Sequence, residues 1–213
     1  MIKRIFLTSS VNFVARDIAK KIGGAKGQKL LYIYTAGELK KGEAQWQKDD
    51  RQALSRAGFE VIKYTITGKT RETIKKNLKK VGIIYVGGGN TFYLLEKIQQ
   101  TKCAGVIREA VNAGKIYIGT SAGSIIAGPD IYPSYSLDVI NEAPNLKGYK
   151  GLGLVGFVVL PHWGSANFKE RYLKNRLAHS YNEKNKLILL NNYQYVETRG
   201  DWYRIEEVRH KAS

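Results

Sequence analysis

Short apolar runs alternate with amphipathic segments along most of this chain, and that rhythm restricts its fold more than any other feature. The runs at 2–9, 29–35, 59–66, 81–86, 115–119, 157–160 and 187–190 are rich in β-branched and aromatic residues and too short for ordinary helices. Between them, 11–22, 44–57, 71–80, 105–113 and 168–181 show helical spacing, and Gly23, Gly24, Gly58 and Gly114 stand where helices end. A further helix follows Gly87-Gly88-Gly89, capped by Asn90 or Thr91, with Phe92, Leu94, Leu95 and Ile98 on its buried side. A short one is expected at 122–127. Such repetition predicts an α/β fold, a mostly parallel sheet with helices on both faces.

Two regions depart from the rhythm. Segments 193–197 and 202–206 read as a hairpin closed at Arg199-Gly200-Asp201. Residues 128–156 are rich in Gly, Pro, Tyr, Ser and Asn, and read as a long excursion holding at most a small hairpin; loops of that length tend to carry function. With 213 residues, no internal repeat and no low-complexity linker, the chain is expected to form a single domain over 1–213.

Composition narrows the setting. Cys103 is the only cysteine, so no intramolecular disulfide can form, which suits a reducing cytoplasm. The start of the chain reads as a first strand and lacks the apolar core of a secretory signal. No stretch approaches the roughly 18 apolar residues of a membrane span, so no membrane partner is expected. The formal net charge of +17 would attract anions. Lys75, Lys76, Lys79 and Lys80, however, crowd one short helix as a solvated face, and no aromatic-interleaved signature accompanies them. Nucleic acid is therefore not the expected partner.

The chemistry gathers at three strand ends. Gly119-Thr120-Ser121-Ala122-Gly123 follows a strand and precedes a helix, the context that a G-x-S-x-G nucleophile requires. Small residues on either side of Ser121 let strand and helix approach closely, and the helix N-terminus offers the Ala122 N–H to a developing oxyanion. Gly87-Gly88-Gly89-Asn90-Thr91 also ends a strand, where α/β sheets bind ligands, and its glycines bring backbone N–H groups close to a substrate. Neither G-x-G-x-x-G nor a P-loop lysine is present, so no nucleotide cofactor is expected. Pro161-His162-Trp163-Gly164 ends a third strand and supplies a base for the serine. The other histidines serve less well: His179 lies within a helix and His210 near the C-terminus.

Together, 81–95 (VGIIYVGGGNTFYLL), 115–129 (KIYIGTSAGSIIAGP) and 158–164 (VVLPHWG) resemble peptidase E, the aspartyl dipeptidase family of serine peptidases, and more distantly cyanophycinase. The resemblance implies a fold like that of the class I glutamine amidotransferases, with serine in place of their cysteine, and metal-free, cofactor-free hydrolysis of very short peptides. It makes Ser121 the nucleophile, His162 the base, and the N–H groups of Gly88, Gly89 and Ala122 the oxyanion hole. For the third member of the triad it points to Asn192, where the family carries an acid, or to Asp138 in the loop after the nucleophile; Glu142 fits less well, and Asp130 reads as a turn residue. Asn90, Thr91 and Arg171 are the candidate substrate contacts, with Lys169 as another cation near the histidine segment. An asparagine in the acid's position also leaves room for a silent scaffold or for an acyl hydrolase acting on non-peptide or isopeptide bonds. A homodimer is left open.

Overall fold

The structure is a computed structural model. It describes residues 2–40, 42–134, 139–181 and 184–208, the side chains of Asn175 and His179 excepted. Seven strands form the main sheet: β1 (Arg4–Thr8), β2 (Lys29–Ile33), β3 (Glu60–Tyr64), β4 (Ile83–Val86), β5 (Ile116–Thr120), β8 (Gln194–Arg199) and β9 (Trp202–Glu207). Their order is β3-β2-β4-β5-β1-β8-β9. The first five are mutually parallel, β8 runs antiparallel to β1, and β9 closes the expected hairpin against β8.

The strands are apolar on both sides because both faces are covered. Leu31, Ile33, Ile84, Val86, Ile5 and Leu7 face one core, shared with α3 (Arg71–Lys79), α4 (Thr91–Thr101) and α5 (Ala104–Asn112). Their neighbours Leu30, Tyr32, Ile83, Tyr85 and Phe6 face the other, beneath α1 (Val11–Lys21) and α2 (Gln45–Arg56). On α3, Ile74 and Leu78 point inward while Lys75, Lys76, Lys79 and Lys80 are exposed. No helix among the described residues is long and apolar enough to cross a membrane.

Three local expectations change. The strands β6 (Val158–Leu160) and β7 (Leu187–Leu189) do not join the main sheet but pair in parallel with each other. The edge of β1 is taken by β8, so the fully buried β6 packs over the short helix α6 (Ala122–Ile125) instead. The long helix expected at 168–181 is broken into a 3₁₀ turn at Ala166–Phe168, a π-helical stretch at Arg171–Arg176 and α7 (Leu177–Ser180). The wide turn brings Tyr172 and Arg176, both buried, against the Pro161 and Pro133 carbonyls. The described part of the 128–156 excursion holds 3₁₀ turns at Tyr132–Ser134 and Ile140–Glu142 and a single bridge between Asp130 and Lys150 rather than a hairpin.

Candidate active site

Ser121 stands between β5 and α6 with φ 49° and ψ −112°, a strained backbone for a residue with a Cβ. The turn holds because its neighbours are small. A Cβ on Gly119 would lie 2.5 Å from the Gly123 carbonyl oxygen, and one on Gly123 only 1.9 Å from that of Val86. The Ser121 N–H donates to the Thr8 carbonyl at 3.1 Å, tying the turn to β1.

His162 follows β6 and also has a positive φ, 66°. It is held on both sides: its own N–H donates to Ser9 Oγ at 2.7 Å, and the Trp163 N–H donates to the Leu190 carbonyl at 2.9 Å. The imidazole stacks on Phe168 with ring centroids 4.5 Å apart. Its Nε2 lies 3.0 Å from Ser121 Oγ, and its Nδ1 lies 2.8 Å from Asn192 Oδ1. The place expected for His162 is the sheet edge that also holds Ser121. The structure brings the two together differently, by folding the small β6–β7 sheet over α6.

Ser9, which no motif singled out, organises this group. Its hydroxyl accepts the His162 N–H, so its own proton goes to Asn192 Oδ1 at 2.9 Å. Asn192 Oδ1 is thereby oriented as an acceptor toward His162 Nδ1, which carries the imidazole proton and leaves Nε2 free to accept from Ser121. Ser9 is fully buried and sits just beyond β1, one residue after Thr8. A serine between a strand and a helix has no sequence signature, and only three-dimensional proximity identifies it.

Burial is the main force holding the His162 pKa below 6.5; the Arg176 charge adds to this, and the Asn192 hydrogen bond opposes it. Asp138, the alternative partner, lies outside the described residues, as does His210. Glu142 is exposed and accepts from Asn90 Nδ2 at 2.6 Å, with no bond to His162. Asp130 accepts the Tyr132 N–H at 2.8 Å, as a turn residue does.

Gly88 lies against Ser121: a Cβ there would stand 3.2 Å from Ser121 Cβ. Gly89, at φ 131°, leaves no room for a side chain, because a Cβ would come within 2.1 Å of the Ala36 carbonyl oxygen. Among the described residues, the N–H groups of Gly88, Gly89 and Ala122 donate to no protein acceptor. Asn90 is the cap of α4, its Oδ1 accepting from the Phe92 and Tyr93 N–H groups at 2.9 and 3.0 Å. Thr91 is fully buried and does not reach the cleft.

The cleft around Ser121 has a volume of about 640 Å³, in the range of small-molecule sites. Asn90, Lys40 and Arg171 line it, with the Arg171 guanidinium 5.7 Å from the Phe168 ring. Lys169 is exposed and lies outside it. Asp50, which sequence reasoning passed over, also lines the cleft. It is 5% exposed, and burial pushes its pKa up to about 7. No group of His, Cys, Asp and Glu among the described residues could hold a metal ion.

The model of peptidase family S51 matches residues 5–205. An uncharacterized peptidase of Listeria monocytogenes serovar 1/2a is 32% identical over 198 residues, covering 93% of this chain and 95% of its own. One from Pasteurella multocida is 33% identical over 196 residues, covering 91% and 92%. A peptidase E of Nostoc sp. is 32% identical over 173 residues, covering 78% and 68%. Among solved structures, one from Listeria monocytogenes EGD-e, named for peptidase E, superposes with a TM-score of 0.89 at 30% identity, covering 98% of this chain and all of that one.

Proposed function

Because this chain belongs to peptidase family S51 and is a serine-type peptidase, we propose that it hydrolyses dipeptides and similarly short peptides through a Ser121–His162 acyl-enzyme. The observation that carries this reading is the chain of contacts from Ser121 Oγ to His162 Nε2 at 3.0 Å and from Nδ1 to Asn192 Oδ1 at 2.8 Å. His162 takes the Ser121 proton as Oγ attacks the scissile carbonyl. The Ala122 N–H and those of Gly88 and Gly89 receive the oxyanion. His162 then protonates the leaving amine, and water, deprotonated by the same imidazole, releases the acyl group. Asn192 orients the imidazole without adding a charge, and Ser9 keeps Asn192 in the useful orientation.

Lys40 and Arg171 at the mouth of the cleft suit the carboxylates of a short peptide, either its C-terminus or an acidic side chain such as that of an Asp-X substrate. The test is a dipeptide library, including Asp-X and Glu-X members, incubated with wild type and Ser121→Ala and read by mass spectrometry. Cleavage by wild type alone is expected. Equal cleavage by Ser121→Ala would overturn the mechanism.

A further inference from the structure

Asp50 takes no part in that mechanism, yet it lies in the same cleft. It is four residues after Trp46 on α2, so the two side chains share one helix face, and both line the cleft with Gly88, Thr120 and Ser121. The Trp46 ring comes within 3.6 Å of the point where a Cβ on Gly88 would stand, next to Ser121. The Asp50 carboxylate accepts from Tyr85 Oη at 2.9 Å.

That partner is neutral. The charged neighbour that acts on Asp50 is Asp49, of the same sign, and among the described residues no cation pairs with it. A structural role would not require the charge. At the start of α1 the Ser10 side chain makes no capping bond, and Thr120 Oγ1 accepts the Val11 N–H. A neutral acceptor would serve Tyr85 Oη without the cost of burying an ion. What a carboxylate adds is a counter-ion for a cation entering the cleft, and the Trp46 face beside it favours the same ligand. A peptide whose first carbonyl sits on Ser121 carries its α-ammonium two bonds from that carbonyl carbon.

We infer that Asp50 is the counter-ion for the α-ammonium of the residue whose carbonyl Ser121 attacks, so that the cleft selects peptides with a free amino terminus. This rests on the acyl-transfer reading above.

Binding, measured without turnover, tests it. Calorimetry on Ser121→Ala compares an alanyl dipeptide with its des-amino analogue, propionyl in place of alanyl. The free amine is expected to bind at least about 30-fold more tightly, and Asp50→Asn in the same background to reduce that ratio below about threefold. Asp50→Ser, which keeps a neutral acceptor in less volume, is the second variant should Asp50→Asn not fold. No amine preference, or a ratio unchanged in the folded variant, would overturn the inference. Fluorophosphonate labelling of the wild type separates the two claims. Labelling of Ser121 with no Asp50-dependent ratio refutes the Asp50 assignment alone. An Asp50-dependent ratio without labelling refutes the nucleophile and leaves the ammonium site standing.

Discussion

Replacing Asn192 by Asp puts a charge where the site now has a dipole, and the consequence can be worked out from one distance. Asn192 Oδ1 lies 2.8 Å from His162 Nδ1. With an effective dielectric of about 20, unit charges about 4 Å apart attract by about 4 kcal/mol. Desolvation of the new carboxylate cancels a large part of this, leaving about 1–3 kcal/mol, or about one to two pKa units on the imidazolium. In the wild type, burial and the Arg176 charge hold the His162 pKa below 6.5. The neutral, proton-accepting form therefore persists into mildly acidic solution, and the acid limb of kcat/KM is expected below pH 6.5. In Asn192→Asp that limb moves up by about one to two units. At pH 9, above the acid limb of either protein, the charge stabilises the imidazolium formed in the transition state and raises kcat/KM about 5- to 100-fold. The assay is a pH–rate profile on the best dipeptide from the library. An acid limb that does not move would refute the contact as a determinant of the base, and a lower rate at pH 9 would refute the electrostatic argument.

Other predictions follow from the same geometry. Ser9→Ala removes the acceptor of the His162 N–H and the donor that orients Asn192, so kcat should fall about 5- to 100-fold with KM little changed. The loss should be smaller in an Asn192→Asp background, whose symmetric carboxylate needs no orienting; steady-state kinetics of the four proteins decide, and full additivity would refute the orienting role. Gly123→Ala drives a Cβ to within 1.9 Å of the Val86 carbonyl oxygen, so its melting temperature should fall and Ser121 labelling by a fluorophosphonate should be lost; wild-type values of both would refute the elbow packing. Asp50 in the folded protein has its pKa raised from 3.8 to about 7, so the folded state holds the extra proton between those values. Its contribution to stability therefore falls as pH rises through that window. Thermal melts from pH 4 to 8 should show this slope in wild type and lose it in Asp50→Asn; parallel curves would refute it.

The legible parts of this molecule were those dictated by local chemistry. The elbow is readable because Gly119 and Gly123 are sterically compelled, the β–α rhythm because each strand buries both faces, and the α4 cap because only Asn90 and Thr91 stood in position to supply it. What stayed hidden depends on contacts between distant segments. Nothing local says that β8 rather than β6 pairs with β1, since both are short apolar runs. Asn192 was reached through the family resemblance, but its partner Ser9, 183 residues away, belongs to no motif. Asp50 looks in sequence like any charge on a polar helix, and only its burial beneath the cleft sets it apart. The break of the 168–181 helix arises from Tyr172 and Arg176 turning inward, which a helical pattern does not foretell.

The central claim is that His162 activates Ser121, and the most direct measurement is the site and rate of phosphonylation. Wild type and His162→Ala are treated with a fluorophosphonate, digested, and mapped by mass spectrometry. The account predicts a single adduct on Ser121 in the wild type, formed at least about 100-fold faster than in His162→Ala. An adduct on Ser9, Ser10 or Ser124 instead, or equal rates in the two proteins, would contradict it.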